Sequence, residues 1–289
     1  MNNYKSILVI PTLFFLIGCG VVKMQKQGSA TPNDFDEELT FTTAKTVILI
    51  PAEIDGNTKN FMFDTGADLN MVQRDSLTGK TSKWSGASRR KMELGTEIID
   101  SFKIGNIKFE NIYALNGNLV GLKEQIPNFG GLIGQSVINK ANWLIDYPNE
   151  RIRISNKDLS DDTFQVIEID RKNGGNPYTF ITIDGQKYEV VIDFGSSSEF
   201  NLPQESNLAK KLMEKYDFNE NERERYTLGG LQTIKEKVVI APLIKLGNME
   251  FQNISTTINV SSQPRIGIGF FKDCIIYIDN LENSYKIKK

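Results

Sequence analysis

Two aspartates in this chain each follow an apolar segment and stand two positions before a glycine. Asp64 lies in Phe-Asp-Thr-Gly and Asp193 in Ile-Asp-Phe-Gly, and the segments that lead to them align without a gap. Two carboxyl groups held together cannot both ionise cheaply, so one stays protonated while the other is charged. Such a pair can activate water with the charged group and donate a proton to a carbonyl oxygen with the other. Asp64 and Asp193 are therefore the candidate catalytic residues.

The repeat around these aspartates extends through most of the chain. KIGNIKFENI, which begins at Lys103, and KLGNMEFQNI, which begins at Lys245, are identical at six of ten positions. Farther on, Leu132-Ile133-Gly134 precedes WLID, and we align Gly267-Ile268-Gly269, which precedes IYID, with it. Blocks in the same order indicate a tandem duplication whose period is typical of a domain. We predict one lobe at 40–157 and a second at 158–289.

The composition excludes several kinds of site. The 289 residues include no histidine, which rules out Ser-His-Asp and Cys-His triads and zinc sites that need imidazole. Cys19 and Cys274 are the two cysteines, too few for a thiolate metal cage or a disulfide framework. The net charge of -2 offers no basic surplus for nucleic acid. We predict no metal, no cofactor and no nucleic-acid partner.

The amino terminus has the pattern of an export signal. Lys5 precedes an uncharged run at 7–17 that is too short to span a bilayer but suits the apolar core of a signal peptide. Leu16-Ile17-Gly18-Cys19 resembles the lipobox of bacterial lipoproteins, in which the cysteine carries lipid. The resemblance implies a signal peptide at 1–18, membrane attachment through lipidated Cys19, and a location in the bacterial cell envelope, facing the periplasm or the outer membrane. An ordinary secretory signal with an incidental cysteine is the alternative.

The segment at 19–39 is polar and has no apolar period, so we predict a flexible tether. Beyond it the pattern is dominated by strands. Asp55-Gly56 and Asp184-Gly185 lie between β-rich runs and predict two hairpins, each of which ends in a candidate aspartate. The clearest helical period is at 204–216. Short strands with few helices predict an all-β fold with barrel-like lobes. Further strands are predicted at 103–114, 143–146, 151–154, 164–169, 237–244, 251–260, 275–278 and 285–287.

Phe63-Asp64-Thr65-Gly66-Ala67 resembles the catalytic loop of retropepsin-like and pepsin-like aspartic proteases. Leu132-Ile133-Gly134 resembles the hydrophobic-hydrophobic-glycine element under that loop. The resemblance covers nearly everything from residue 40 to the carboxyl terminus, once in each lobe. It implies an aspartic-type endopeptidase with two homologous acid-protease β-barrel lobes, a polypeptide substrate and a monomer with pseudo-twofold lobes. The residues that would support the catalytic loops are Thr65, Gly66, Gly195 and Ser196.

The second loop departs from the family pattern at Phe194. The family has threonine or serine there, and the hydroxyl groups of its two loops bond across the pair. Phenylalanine cannot donate that hydrogen bond. Ser196 offers a hydroxyl group that we expect to bond to Asp193. The departure leaves a second interpretation open, a catalytically degenerate peptide-binding lipoprotein of the same fold.

Two segments are candidates for flaps over a cleft between the lobes. Trp84 and Gly86 precede the KIGN block, and Tyr226 and Gly229 precede the KLGN block. An aromatic residue at such a hairpin tip would pack on substrate, and ordinary surface turns are the alternative. Asp146 and Asp279 also correspond between the lobes, but their turn-like surroundings predict capping of a turn.

Overall fold

A computed structural model of the chain describes residues 16–86, 91–172, 175–227 and 230–289. The protein is mostly β, as predicted, with 56% of its residues in strands and 11% in helices. The helices are α1 Leu16–Lys26, α2 Val120–Lys123, α3 Gln135–Ile138 and α4 Asn207–Lys215, and a 3₁₀ helix spans Ile268–Phe271.

The strands up to the middle of the chain are β1 Ser29–Thr31, β2 Asp36–Thr40, β3 Thr42–Ala44, β4 Val47–Ile54, β5 Asn57–Phe63, β6 Asn70–Gln73, β7 Ser82–Ser85, β8 Lys91–Ile99, β9 Phe102–Ile104, β10 Ile107–Glu110, β11 Ile112–Gly117, β12 Phe129–Ile133, β13 Asn142–Asp146 and β14 Arg151–Ser155. The later strands are β15 Gln165–Ile167, β16 Asp170–Lys172, β17 Asn176–Ile183, β18 Gln186–Asp193, β19 Phe200–Pro203, β20 Phe218–Thr227, β21 Gly230–Leu246, β22 Met249–Asn259, β23 Arg265–Gly267, β24 Ile275–Asp279 and β25 Ser284–Lys288.

The first sheet positions Asp64 at the end of a buried strand. Its order is β1-β10-β9-β4-β5-β12-β6-β11-β8-β7, with β3 paired to β4. The turn between β4 and β5 has Asp55 and Gly56 at φ values of 52° and 72°, a conformation that suits an Asp-Gly hairpin. Strand β12 lies parallel to β5 on its other side. Asp64 therefore leaves the sheet between two strands that define its position.

The second sheet positions Asp193 with the same pattern of pairing. Its order is β16-β17-β18-β23-β19-β22-β21-β20. Strands β17 and β18 form a hairpin at Asp184-Gly185, and β23 lies parallel to β18, as β12 does to β5. Strand β19 is antiparallel to β23 and parallel to β22, as β6 is to β12 and β11. The two candidate aspartates thus end corresponding strands.

A third sheet joins the two halves of the chain. Its order is β15-β25-β24-β13-β14-β2, and β13 pairs with β24 so that Trp143 stands opposite Ile278. Phe63 packs on the Trp143 ring with centroids 5.1 Å apart, and Phe194 packs against Tyr285 at 6.3 Å. The residues next to both aspartates therefore share the core of this sheet.

The segment at 19–39 is not the flexible tether that its composition predicts. It contains most of α1 and two paired strands, because β1 pairs with β10 and β2 pairs with β14. Arg153 makes a two-pronged contact with Asp36 at 2.6 and 2.5 Å. Backbone pairing at a sheet edge and surface charge pairs need no apolar period, and so the composition gave no sign of these strands.

The signal-peptide prediction stays untested. Residues 1–15, most of the predicted signal peptide, lie outside the described residues, and Cys19 lies in α1. Within the ranges that the structure describes, no helix is long and apolar enough to cross a membrane.

The helix predicted at 204–216 is α4, which begins after Ser206. The Ser206 hydroxyl group accepts a hydrogen bond from the Ala209 N–H at 3.2 Å and so caps the helix.

Candidate active site

The Asp64 loop begins at the buried end of β5. The Asp64 N–H donates to Ile133 O at 3.0 Å, which continues the parallel pairing of β5 and β12 by one bond. Asp64 Oδ1 then accepts a hydrogen bond from the Gly66 N–H at 2.9 Å. The loop thus holds the carboxyl group by its own backbone.

Each candidate carboxyl group packs on the glycine of the opposite loop. A Cβ atom added to Gly195 would stand 2.3 Å from Asp64 Cγ, and one added to Gly66 would stand 2.8 Å from Asp193 Cγ. Real side chains do not tolerate such distances, so both positions require glycine for close approach. The structure brings together Asp64, Asp193, Gly66 and Gly195, four of the residues that the sequence predicts for the site.

The electrostatic state of the pair follows from this proximity. Burial raises the pKa of Asp64 well above its usual range, and the charge of Asp193 and a hydrogen bond with it act in the same direction. The Gly66 N–H and the Arg265 guanidinium lower the pKa of Asp64 by smaller amounts. Burial and the proximity of Asp193 therefore both favour the protonated form of Asp64.

Thr65 ties the two loops together. Its Oγ1 donates to Ile192 O at 2.8 Å and accepts from the Phe194 N–H at 3.0 Å, and its side chain is completely buried. Both bonds join parts of the chain more than 120 residues apart. The predicted role of Thr65 in supporting the loops is thus a pair of hydrogen bonds to backbone atoms of the second loop.

Phe194 takes part in the site through its backbone and in the core through its side chain. The ring is fully buried and contacts Phe271 at a centroid distance of 5.6 Å, Tyr285 at 6.3 Å and Phe63 at 6.5 Å. The second hydroxyl group that the family pattern expects is absent. The backbone N–H of the same residue still completes the bond from Thr65, since that bond does not depend on the side chain.

Ser196 does not have the role that the sequence predicts. Its backbone N–H donates to Asp193 O at 3.0 Å, and its carbonyl oxygen accepts from the Ile268 N–H at 3.0 Å. Among the described residues its hydroxyl group makes no hydrogen bond to Asp193. The turn after Asp193 therefore uses Ser196 as backbone, as the first loop uses Ala67, whose N–H donates to Asp64 O at 3.3 Å.

Arg265 is a site residue that the sequence analysis missed. Its Nη1 donates to Asp193 Oδ2 at 2.5 Å, and the two side chains are only 5% and 10% exposed. Its Nη2 lies 3.4 Å from Ser262 Oγ. Within the described parts of the chain its Nε has no hydrogen-bond partner. The guanidinium is therefore committed to Asp193.

Arg265 was missed because the two repeated segments were aligned in the wrong register. The sequence alignment placed Gly267-Ile268-Gly269 opposite Leu132-Ile133-Gly134, and the structure shows this to be wrong by two residues. Gly134 immediately precedes α3, and Gly267 immediately precedes the 3₁₀ helix, so Gly267 is the counterpart of Gly134. Arg265 then corresponds to Leu132. An arginine inside the apolar run PRIGIGF was the signal that could have drawn attention to it.

Trp84, Gly86 and Tyr226, three of the predicted flap residues, lie in or directly beside the strands of two hairpins. Trp84 pairs with Met92 in the β7–β8 hairpin, and Gly86 directly follows β7. The Trp84 Nε1 donates to Ser82 Oγ at 2.7 Å, and its ring packs partly against the core. In the β20–β21 hairpin the backbone pairing continues to Tyr226 and Thr227, whereas Gly229 lies outside the described residues. A role over a cleft stays a prediction for both hairpins.

Asp146 and Asp279 cap turns, as predicted. Asp279 Oδ1 accepts from the Leu281 and Glu282 N–H groups at 3.1 and 2.9 Å. Asp146 Oδ1 accepts from the Asn149 N–H at 3.2 Å. These carboxylates therefore have local structural roles.

Comparison with known proteins adds no family. No protein-family model matches the chain, and no curated protein matches it. The geometry of the two aspartate loops therefore carries the functional proposal.

Proposed function

We propose that this protein is an aspartic-type endopeptidase that hydrolyses peptide bonds with Asp64, Asp193 and an activated water. One observation carries the proposal, the seating of each carboxyl group on the glycine of the opposite loop, with the pKa of Asp64 raised. A structural aspartate pair would be a costly arrangement for the fold, since burial of two adjacent carboxyl groups is unfavourable. Perturbed carboxyl groups of this kind are concentrated at functional sites.

The reaction divides into two proton-balanced steps. In the first, Asp193 takes a proton from water, the water oxygen bonds to the carbonyl carbon, and Asp64 gives its proton to the carbonyl oxygen. The product is a neutral diol. In the second, Asp193 gives its proton to the amide nitrogen as the C–N bond breaks, and a diol hydroxyl returns a proton to Asp64. The pair ends in its starting state, without a covalent enzyme intermediate.

The proposal includes the retropepsin-like architecture. The common pairing pattern of the first two sheets supports two homologous barrel-like lobes at 40–157 and 158–289, derived by duplication within a monomer. An extended polypeptide would bind between them by backbone pairing. The β7–β8 and β20–β21 hairpins are proposed as its flaps, with Trp84, Gly86, Tyr226 and Gly229 at or near their tips.

We also propose attachment to the bacterial cell envelope through lipid on Cys19. Gln25, six residues after that cysteine, is buried and donates from Nε2 to Asp68 O at 2.7 Å, while Lys140 Nζ donates to Gln25 O at 3.1 Å. An anchor at Cys19 would thus hold the body close to the bilayer. Labelling of cells with radioactive palmitate tests this, and incorporation that persists in Cys19→Ser would contradict it.

A second candidate function is favoured by a specific observation. The Arg265 guanidinium forms a buried ion pair with Asp193, which occupies one oxygen of the proposed base, and Phe194 lacks the second hydroxyl group of the family pattern. A catalytically degenerate peptide-binding lipoprotein of the same fold is therefore the alternative. It predicts saturable binding of peptides without cleavage products.

Hydrolysis of an unfolded protein by purified Asp64→Asn and Asp193→Asn variants tests the proposal. We expect each to lose at least about 10³-fold of the activity, because each removes one of the two proton-transfer groups. Asp146→Asn serves as the matched control, since this turn-capping carboxylate is outside the site. The assay spans about pH 3 to 8, the range over which such pairs titrate. Full activity in either site variant would reject the pair, and peptide binding without cleavage by the wild type would favour the alternative.

A further inference from the structure

We infer that Arg265 is a positioning residue that makes the two carboxyl groups unequal, holding Asp193 as the ionised general base and leaving the shared proton on Asp64. The inference rests on the proposed function, because it assigns roles within the same pair. It goes beyond that function by predicting which aspartate is the acid and which the base. In a pair related by symmetry alone, neither assignment would be favoured.

The contact between Arg265 and Asp193 is the first support. Strand β23 lies parallel to β18, with Arg265 opposite Val191 and Gly267 opposite Asp193. This register brings Arg265 Nη1 to 2.5 Å from Asp193 Oδ2 in a nearly water-free setting. A guanidinium does not lose its proton in proteins, and a buried one requires a negative partner. Asp193 is the carboxylate that meets that requirement.

The remaining contacts of the guanidinium leave this pairing dominant. Ser262 Oγ is at the long distance of 3.4 Å, and Nε has no partner among the described residues. A guanidinium placed for purely structural reasons is expected to use more of its five donors. The single close bond goes to one oxygen of Asp193.

The setting of Asp64 is different. Its Oδ1 accepts from the Gly66 N–H, and no cation forms an ion pair with it among the described residues. The charged groups that act on it are Asp193 on β18 and Arg265 on β23. Burial and the Asp193 charge outweigh the arginine and raise the pKa of Asp64. The proton of the pair is thus more stable on Asp64.

The inequality comes from a single position of the repeated pattern. Leu132 occupies the place in the first sheet that Arg265 occupies in the second, and Leu132 is buried and apolar. The residues paired with these two positions on the adjacent strand also differ in polarity. Met71 stands opposite Leu132, and Asn201 stands opposite Arg265. The second half therefore pairs its arginine with a polar residue, whereas the first half pairs its leucine with an apolar one.

The assignment has a consequence for pH dependence. The reactive form carries one proton, so activity falls at low pH when Asp193 gains a proton and at high pH when Asp64 loses its own. A nearby positive charge favours the ionised form of both groups. Removal of that charge is therefore expected to move both limbs of the pH–rate profile to higher pH.

The first test compares kcat/KM against pH for the wild type, Arg265→Leu and Arg265→Lys. Leucine is the residue of the first sheet at this position, so it suits the packing. We expect both limbs to move up by about one pH unit or more in Arg265→Leu, since an adjacent opposite charge has effects of this size. Arg265→Lys keeps the positive charge, so both limbs of its profile should lie close to those of the wild type. Unchanged limbs in an active, folded Arg265→Leu enzyme would overturn the inference.

The second test does not depend on activity. Carbon-13 NMR of the aspartate carboxyl carbons, assigned with Asp64→Asn and Asp193→Asn, follows each group through a pH titration. We expect Asp193 to remain ionised at pH values where Asp64 is protonated, and the separation of the two transitions to shrink in Arg265→Leu. The reverse order, or no change in Arg265→Leu, would overturn the inference. Unequal titration that responds to Arg265→Leu in a protein that cleaves nothing would reject the proposed function and the base role of Asp193, but not the effect of Arg265 on the charge of the pair.

Discussion

Asp64 and Asp193 end equivalent strands in two sheets of the same pairing order, but the residues around them differ at two important positions. Thr65 follows the first aspartate and Phe194 the second, and Leu132 under the first loop corresponds to Arg265 under the second. The backbone of the two loops is alike because each needs glycine where the other carboxyl group packs. The side chains differ, because the first loop uses Thr65 for hydrogen bonding and the second uses Phe194 for packing and lies beside the charge of Arg265.

A single hydroxyl group joins the two loops by hydrogen bonds to both sides of Asp193. Thr65 reaches Ile192 O and the Phe194 N–H, both of them backbone groups that any residue provides. Position 194 is therefore free to carry an apolar ring. Its burial beside Phe271 and Tyr285 stabilises the second loop by packing instead.

The largest expected effect on stability follows loss of the Phe194 ring. Phe194→Ala should lower the free energy of unfolding by about 3–5 kcal/mol, because it leaves a cavity among three aromatic side chains. Urea denaturation measures it, with Phe194→Leu as a control that keeps most of the volume and should lose less. Phe194→Thr should also be destabilised in spite of the hydroxyl group it adds. A neutral Phe194→Ala would show that the second loop is not held by packing.

The next effect concerns the glycines that the two loops share. Gly195→Ala should lower kcat/KM by about 100-fold or more, since its Cβ atom would displace the Asp64 carboxyl group and small misplacements cost about that much. Gly66→Ala, with a longer contact to Asp193, should cost less. Gly56→Ala is the control, because nothing lies within 4 Å of its added Cβ atom, although its φ of +72° costs some stability. Equal, mild losses in all three variants would contradict the mutual packing.

A smaller effect is expected for the threonine that joins the loops. Thr65→Val removes the bonds to Ile192 O and the Phe194 N–H and should destabilise the protein by about 1–3 kcal/mol, since both backbone groups are left buried. Thr65→Ser keeps the hydroxyl group and serves as the control. If valine is tolerated as well as serine in thermal unfolding, the loops are joined by packing alone.

The smallest expected effect is a gain in stability at neutral pH. A carboxyl group whose pKa is higher in the folded state than in the unfolded state stabilises the protein at low pH. This contribution is lost as the pH rises from the unfolded-state pKa through the folded-state pKa. Asp64→Asn avoids this loss and should raise the Tm at pH 7 by about 2–4 °C, or about 1 kcal/mol. At about pH 2.5, well below the ordinary pKa of 3.8, Asp64 is protonated in both states, so the difference should nearly vanish. A variant less stable than the wild type at pH 7 would contradict the raised pKa.

Local patterns predicted much of the fold around the site. The Asp-Gly turns at Asp55 and Asp184 form hairpins, and the strands that follow them end in the candidate aspartates. These features depend on a few consecutive residues, whose conformational preferences are visible in any sequence. The paired strands β1 and β2 were missed because edge strands depend on partners far along the chain. The misalignment that hid Arg265 arose because Gly-Ile-Gly matches the apolar pattern as well as Arg-Ile-Gly does.

By itself the sequence indicated that two aspartates follow apolar strands and that short segments around them recur in the same order, and it showed that no histidine is present for other hydrolytic chemistry. Tertiary structure alone decided that Gly195 lies on Asp64, that Thr65 bonds to the backbone of the other loop, and that Arg265 reaches Asp193 across 72 residues. The physical reason is that strand patterns arise from neighbouring residues, whereas the charge and close packing at the pair depend on which strands the fold brings side by side.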